Sequence, residues 1–384
     1  MAERPAAPRR VLMTADTVGG VLTYALTLAS ELASRGVAVH LATMGAPLRN
    51  GQRADVAAIP GLVVYESAYA LEWMHDPWDD VARAGRWLLA LEAAVAPDVV
   101  HLNGYCHAGI GFRAPVVVVA HSCVLSWWEA THGEEAPSSY DRYRDEVAAG
   151  LAAASAVIAP TAAMMRCLER HYGTPRLAAV VPNGVRAPSG ARIAHDAKRG
   201  CSVLAAGRIW DRSKNLELLA RVAPGFSGAV RVAGPDKAPD GERCSLPHVE
   251  VLGWLDRPAL ERAMEDAAIF VHPARYEPFG LAPVEAALRA CALVLGDIES
   301  LREVWADAAV YVDPDDADAL AHLVNGYAKD EPMRRAHAAR AEARARELTP
   351  ARMTDGTLAV YGSVLGTQVA SSMKEPREVV GPCA

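Results

Sequence analysis

Short apolar runs and helical patterns take turns along this chain. Residues 11–15 read as an apolar strand that opens into Asp16-Thr17-Val18-Gly19-Gly20. Over 21–34, Leu22, Ala25, Leu26, Ala29 and Leu32 recur on one helix face, Gly36 stops the helix, and 37–43 read as the next strand. A strand–helix–strand unit with short connections predicts a parallel sheet. Further strands are expected over 62–65, 99–102, 116–120, 156–159 and 180–181, with a helix over 161–171. A second alternation begins at 202, with strands over 202–206, 230–233, 249–252, 269–272, 292–295 and 310–312. Its helices are expected over 216–222, 284–289, 317–325 and 332–347.

Residues 185–200 interrupt this rhythm, being rich in Pro, Gly, Arg and Lys and without periodicity. The pattern therefore predicts an α/β chain of two doubly wound, Rossmann-like domains, 1–185 and 201–350, joined by a linker at 186–200. Residues 351–384 would add a C-terminal helix crossing back to the first domain, then a tail. Two such domains place a cleft between the facing carboxyl ends of their sheets. A length of 384 residues suffices for two cores.

Composition narrows the partners. A formal net charge of -7 speaks against nucleic acid, whose phosphates need a basic surface. Seven cysteines without a Cys-x-x-Cys pair fit reduced thiols in a cytoplasmic protein and no structural zinc. No apolar run reaches the length of a membrane span, and residues 1–10 read as a disordered tail without a signal-peptide core. The Arg-rich segment 334–346 reads as a solvated helix face, or else as a membrane-surface element.

The chemistry concentrates at strand ends. In Tyr276-Glu277-Pro278-Phe279-Gly280-Leu281-Ala282-Pro283-Val284-Glu285, two carboxylates eight positions apart flank a turn and the start of a helix, where backbone N–H groups receive anions. Glu277 would lie at the mouth of that loop and Glu285 in the first helical turns; a capped helix with a solvated Glu is the bland alternative. In Gly207-Arg208-Ile209-Trp210-Asp211-Arg212-Ser213-Lys214-Asn215, Arg208 and Lys214 can neutralise a diphosphate without a metal, or can be solvated surface cations. Gly19-Gly20 lets the backbone approach a phosphate or sugar, and equally suits a plain tight turn; the dinucleotide fingerprint is absent. His121 ends the four-valine strand, where a polar side chain points into a cleft or sits satisfied in the core; His101 is a weaker candidate of the same kind. Asp315 and Asp316 read as a helix cap rather than a metal site. Tyr105–Phe112 and the aromatic stretch 124–140 (Trp127, Trp128, Glu129, His132) suit a polyhydroxylated acceptor or a packed lid.

In this order, Gly19-Gly20, His121, Pro182-Asn183-Gly184, Gly207-Arg208 with Lys214-Asn215, Ala233-Gly234-Pro235 and Glu277-Pro278-Phe279-Gly280-Leu281 with Glu285 resemble the retaining nucleotide-sugar glycosyltransferases of glycosyltransferase family 4, over roughly residues 10–365. The resemblance implies a GT-B fold, with the acceptor on the first domain and the nucleotide sugar on the second. It implies a donor diphosphate on Arg208 and Lys214, ribose on Glu285, and the sugar near Glu277 and His121. The backbone at Gly19, Gly20, Gly234, Phe279, Gly280 and Leu281 would also meet the donor, and Tyr105, Trp127 and Trp128 the acceptor. UDP- or GDP-sugars would be the donors, a small molecule, lipid or glycan the acceptor, and no metal or other cofactor would be needed. Where family members often carry a Gly-rich turn, this chain has Gly296-Asp297-Ile298-Glu299-Ser300. A nucleotide-sugar 2-epimerase, or a non-catalytic nucleotide-sugar-binding protein, are the rival readings.

Overall fold

The computed structural model describes residues 7–188, 201–238 and 241–372. Most of the expected linker, from 189 to 200, and the tail beyond 372 lie outside the described residues. The first sheet contains β1 (Arg10–Asp16), β2 (Ala38–Met44), β3 (Val63–Glu66), β4 (Val99–Leu102), β5 (Val116–Val119), β6 (Ala156–Ala159) and β7 (Ala178–Val180). Its strands are parallel and run in the order β3-β2-β1-β4-β5-β6-β7. The second sheet is also parallel: β8 (Val203–Ala206), β9 (Val230–Ala233), β10 (Glu250–Gly253), β11 (Ile269–His272), β12 (Ala292–Gly296) and β13 (Val310–Val312), ordered β10-β9-β8-β11-β12-β13.

Helices cover both faces of each sheet, which is why the central strands are apolar at most positions. Along β5, Val117 and Val119 face a core with Leu28 and Leu32, while Val116 and Val118 face another with Leu88 and Leu102. Strand order reverses between β1 and β4 in the first sheet and between β8 and β11 in the second. At such a point neighbouring connections leave in opposite directions and open a crevice beyond the strand ends.

The last described helix, Pro350–Ser372, packs on the first domain, where Met353, Val360, Tyr361 and Val364 join the core containing Leu28. Gly184 sits at this junction: a Cβ there would lie 2.5 Å from the Pro350 Cα, so only glycine lets the two segments pass. Helix Leu281–Ala287 begins three residues earlier than the pattern 284–289 suggested, because Gly280, at φ 88°, turns the chain directly into it. Along the Arg-rich segment 334–346, Arg340 and Arg346 are exposed, as expected of a solvated face, while two other arginines are anchored. Arg334 is buried and donates to the Tyr327 carbonyl at 3.1 Å, and Arg344 donates to the Val304 carbonyl at 2.7 Å. These two arginines staple helix Glu331–Ala345 to the second domain. Among the described residues, no helix is long and apolar enough to cross a membrane.

Candidate active site

The two strand-order reversals face each other across the interdomain cleft. A Cβ on Gly19 would lie 2.9 Å from Nη1 of Arg208, and one on Gly20 would lie 3.2 Å from Cδ1 of Leu281. Gly19, at φ 100°, caps helix Gly20–Ser34. The glycines thus admit a guanidinium and a loop from the opposite domain as well as any ligand. More contacts close the cleft. The Tyr276 hydroxyl hydrogen-bonds the Cys123 N–H at 2.8 Å, Thr161 donates to the Pro278 carbonyl at 2.9 Å, and Glu303 accepts from the Ala162 and Ala163 N–H groups at 2.7 and 2.9 Å.

Arg208 and Lys214 both project from the loop after β8, and each is parked on a carboxylate. Arg208 donates to Oδ2 of Asp211 at 2.6 Å and lies 5.2 Å from the Trp210 ring. Asp211 Oδ1 accepts from the Ser213 N–H and hydroxyl, and from the Trp127 indole N–H at 2.9 Å. Burial alone would raise the Asp211 carboxyl, but the Lys214 and Arg208 charges and these hydrogen bonds hold it well below the usual carboxylate range. Trp127, expected at the acceptor, therefore fastens the first domain to the arginine's anchor.

Lys214 Nζ lies 2.9 Å from Oε2 of Glu277, and buried His272 shares that oxygen at 3.0 Å. Burial pushes the Glu277 carboxyl up, yet Lys214 and the His272 hydrogen bond outweigh it and keep the group ionised. Glu285, on the adjacent helix, is half-buried. Its carboxyl is raised, chiefly by burial, with Arg257 and Arg289 pulling the other way. Phe279 is buried in the core of the second domain. Gly234 has a structural reason of its own, since a Cβ there would lie 1.7 Å from the Gly207 carbonyl oxygen.

His121, just past β5, is half-buried at the cleft, edge-on to Tyr24 at 4.5 Å. Its Nε2 is 2.7 Å from Oδ1 of Asn103. Asn103 is oriented by its own amide, which donates to the Thr14 carbonyl at 2.6 Å, so its oxygen must face the histidine. That makes Nε2 the protonated nitrogen and leaves the Nδ1 lone pair available. Burial, aided by His101, lowers the His121 pKa to about 3, so the ring is neutral. His101 proves to be a buried support, held at 2.6 Å by the Tyr361 hydroxyl of the last helix.

One acceptor expectation needs correction, and another residue falls on the packed alternative. Tyr105 is buried among core residues and donates its hydroxyl to the Ser122 carbonyl at 2.6 Å; Glu72 takes its backbone N–H and turns the ring inward. Trp128 stacks on His132 at 3.9 Å and neighbours Tyr140, making it part of a packed aromatic cluster. Asp316 caps helix Ala317–Lys329 as expected, accepting from the Ala319 N–H at 2.8 Å.

Sequence reasoning did not single out Asp16, Glu72, Trp73 and Asn103, which gather at the ends of β1 and β4. Asp16 accepts from the Val18 N–H at 2.5 Å and the Trp73 indole at 3.2 Å. Burial is the main cause that pushes its pKa up to about 7; these two donors and Arg208 pull it down, while Glu72 pushes it up. A carboxyl raised from 3.8 in the unfolded chain contributes stability fully below that value and loses it as pH rises through about 7. His101 and His121 are held neutral and act in the opposite sense below their ordinary 6.5. The readout is therefore a comparison: between pH 5 and 8, wild type should lose stability relative to Asp16→Asn in denaturant melts. Parallel pH profiles would show that Asp16 titrates normally.

Comparison with known proteins finds glycosyltransferases. Residues 18–187 match the family "Glycosyltransferase Family 4", and residues 241–345 match "Glycosyl transferases group 1". The chain is similar to an alpha-maltose-1-phosphate synthase of Mycobacterium tuberculosis, 29% identical over 86% of this chain and 95% of that protein. It is also similar to a phosphatidyl-myo-inositol mannosyltransferase of Mycolicibacterium smegmatis, 31% identical over 32% of each. Among solved structures, sucrose-phosphate synthase from Thermosynechococcus elongatus superposes with a TM-score of 0.74 at 18% identity, covering 95% of this chain and 100% of that one. An Anabaena protein in complex with UDP and glucose gives 0.66 at 16% identity, with 94% and 100% covered.

Proposed function

Because this chain belongs to glycosyltransferase family 4 and is a sugar-nucleotide-dependent glycosyltransferase of GT-B fold, we propose that it transfers a sugar, with retention of configuration, from a UDP- or GDP-sugar to an acceptor hydroxyl. The observation that carries the reading is the pairing of two cations with two ionised carboxylates at the reversal point of the second sheet, directly opposite Gly19. Arg208 and Lys214 would turn from Asp211 and Glu277 toward the donor diphosphate, and their charge would stabilise the departing phosphate. Glu285 would hold the ribose hydroxyls, and the backbone from Phe279 to Leu281 the sugar. Glu277 would remain beside the sugar, fixed by His272. Positive charge from these two side chains is the reason we expect activity to survive EDTA. The acceptor would enter from the first domain.

A melting screen against UDP-, GDP-, ADP- and dTDP-sugars tests the donor assignment. A nucleotide at a hundredfold excess over its Kd should stabilise the native state by about 2.7 kcal/mol. One nucleotide class should raise the Tm in wild type and lose most of that shift in the Arg208→Ala/Lys214→Ala double variant. No shift with any of the four, or an equal shift in the double variant, overturns the site. Isomerisation of the nucleotide sugar without an acceptor would instead favour an epimerase.

A further inference from the structure

A small cavity indents the first domain beside the proposed donor site. It lies beyond the carboxyl ends of β1 and β4, and Thr14, Asp16, Glu72, Trp73, Asn103 and His107 supply its polar lining. The enclosed part is about 50 Å3, room for a hydroxymethyl group or a few waters. Among the described residues, neither Lys nor Arg lines it. His107 turns away, with its Nε2 3.0 Å from the Val81 carbonyl. Glu72 is pinned in place by the Tyr105 and Cys106 N–H groups at 3.0 and 2.9 Å. Across the cleft the facing cation is Arg208, engaged by Asp211 and, in our reading, by the donor diphosphate.

Building on that donor reading, we propose that this cavity receives the hydroxyl-bearing end of an uncharged polyol or sugar acceptor and disfavours acceptors that place a phosphate there. Asp16 has oxygen lone pairs beyond those taken by the Val18 N–H and the Trp73 indole, and can accept a hydrogen bond from an acceptor hydroxyl. The Trp73 ring offers an apolar wall to a sugar ring. A phosphate brings further negative charge next to Glu72 and the ionised fraction of Asp16, and finds no cation in the lining to offset it; specificity here comes from repulsion as well as from attraction. Arg208 does not relieve this, because the donor diphosphate competes for it.

The test uses the full chain with three acceptor pairs: glucose and glucose 6-phosphate, mannose and mannose 6-phosphate, myo-inositol and inositol 1-phosphate. Binding is read by saturation-transfer NMR with and without UDP and GDP, so that a failed donor assignment appears separately as a missing nucleotide response. In at least one pair the neutral member should bind about tenfold or more tightly than its phosphate. Asp16→Asn should narrow that ratio while nucleotide binding stays no weaker than in wild type. Tighter binding of a phosphorylated member, no binding by any neutral member, or an unchanged ratio in correctly folded Asp16→Asn overturns the proposal.

Discussion

Replacing Lys214 by Ala should lower kcat by about 10²- to 10³-fold, the range expected when one preorganised charge is withdrawn from a developing anion. That corresponds to about 2.7–4 kcal/mol of lost transition-state stabilisation. The structure adds a second consequence. Lys214 is the ion-pair partner of Glu277 at 2.9 Å, and both side chains are mostly shielded from solvent. Without the ammonium, the carboxylate keeps only His272, and the burial that already pushes its pKa upward prevails. Part of the protein would take up a proton at Glu277, and native stability should fall by up to about 3 kcal/mol. The two effects separate in the double variant Lys214→Ala/Glu277→Gln, which removes the stranded charge. Its melting temperature should recover toward wild type while turnover stays low. Steady-state kinetics and thermal melts on the three proteins decide the matter. Wild-type kcat in Lys214→Ala would take this lysine out of the reaction, and a fall in stability with full turnover would make it a structural ion pair.

Much of this arrangement was legible because parallel strands buried on both faces are apolar at nearly every position. Val116–Val119 and Ile269–His272 could be read directly, and polar residues at their ends marked the cleft. The less legible residues act through partners distant in sequence. Asp211 sits between the two recognised cations, yet its role depends on Trp127, 84 positions away. Asn103 follows a recognised strand end, but its importance comes from Thr14 on one side and His121 on the other. Asp16 and Trp73 meet only because β1 and the segment before helix Trp78–Val95 converge beyond the sheet. One signal was available in advance: in the first sheet, a polar residue at or directly past the end of each strand flanking the order reversal, Asp16 on β1 and Asn103 after β4. Tyr105 shows the reverse hazard. An aromatic residue in a loop near the cleft looks like an acceptor platform, and one carboxylate from Glu72 is enough to turn it into the core.

The transferred sugar should keep the anomeric configuration it had in the donor. Inversion needs a base on the face of the sugar opposite the leaving diphosphate, with a pKa near the working pH. His121 is the residue placed for that task, and it is poorly suited: burial holds its pKa near 3, and Asn103 fixes the proton on Nε2. Its free Nδ1 is suited to accepting a hydrogen bond from a sugar hydroxyl. Asp16 has the better-matched pKa, about 7, but it faces Arg208, on the side we assign to the departing phosphate. An acceptor held by Asp16 would approach that same face, and its proton can pass to the phosphate oxygen as the Arg208 and Lys214 charges stabilise the group leaving. His121→Ala should then reduce turnover about 10- to 100-fold, the cost of one or two hydrogen bonds, and leave the nucleotide-induced melting shift intact. The anomeric proton coupling in NMR of freshly formed product reads the stereochemistry. An inverted product would require a base on the opposite face and would overturn the retaining assignment together with this placement of the acceptor.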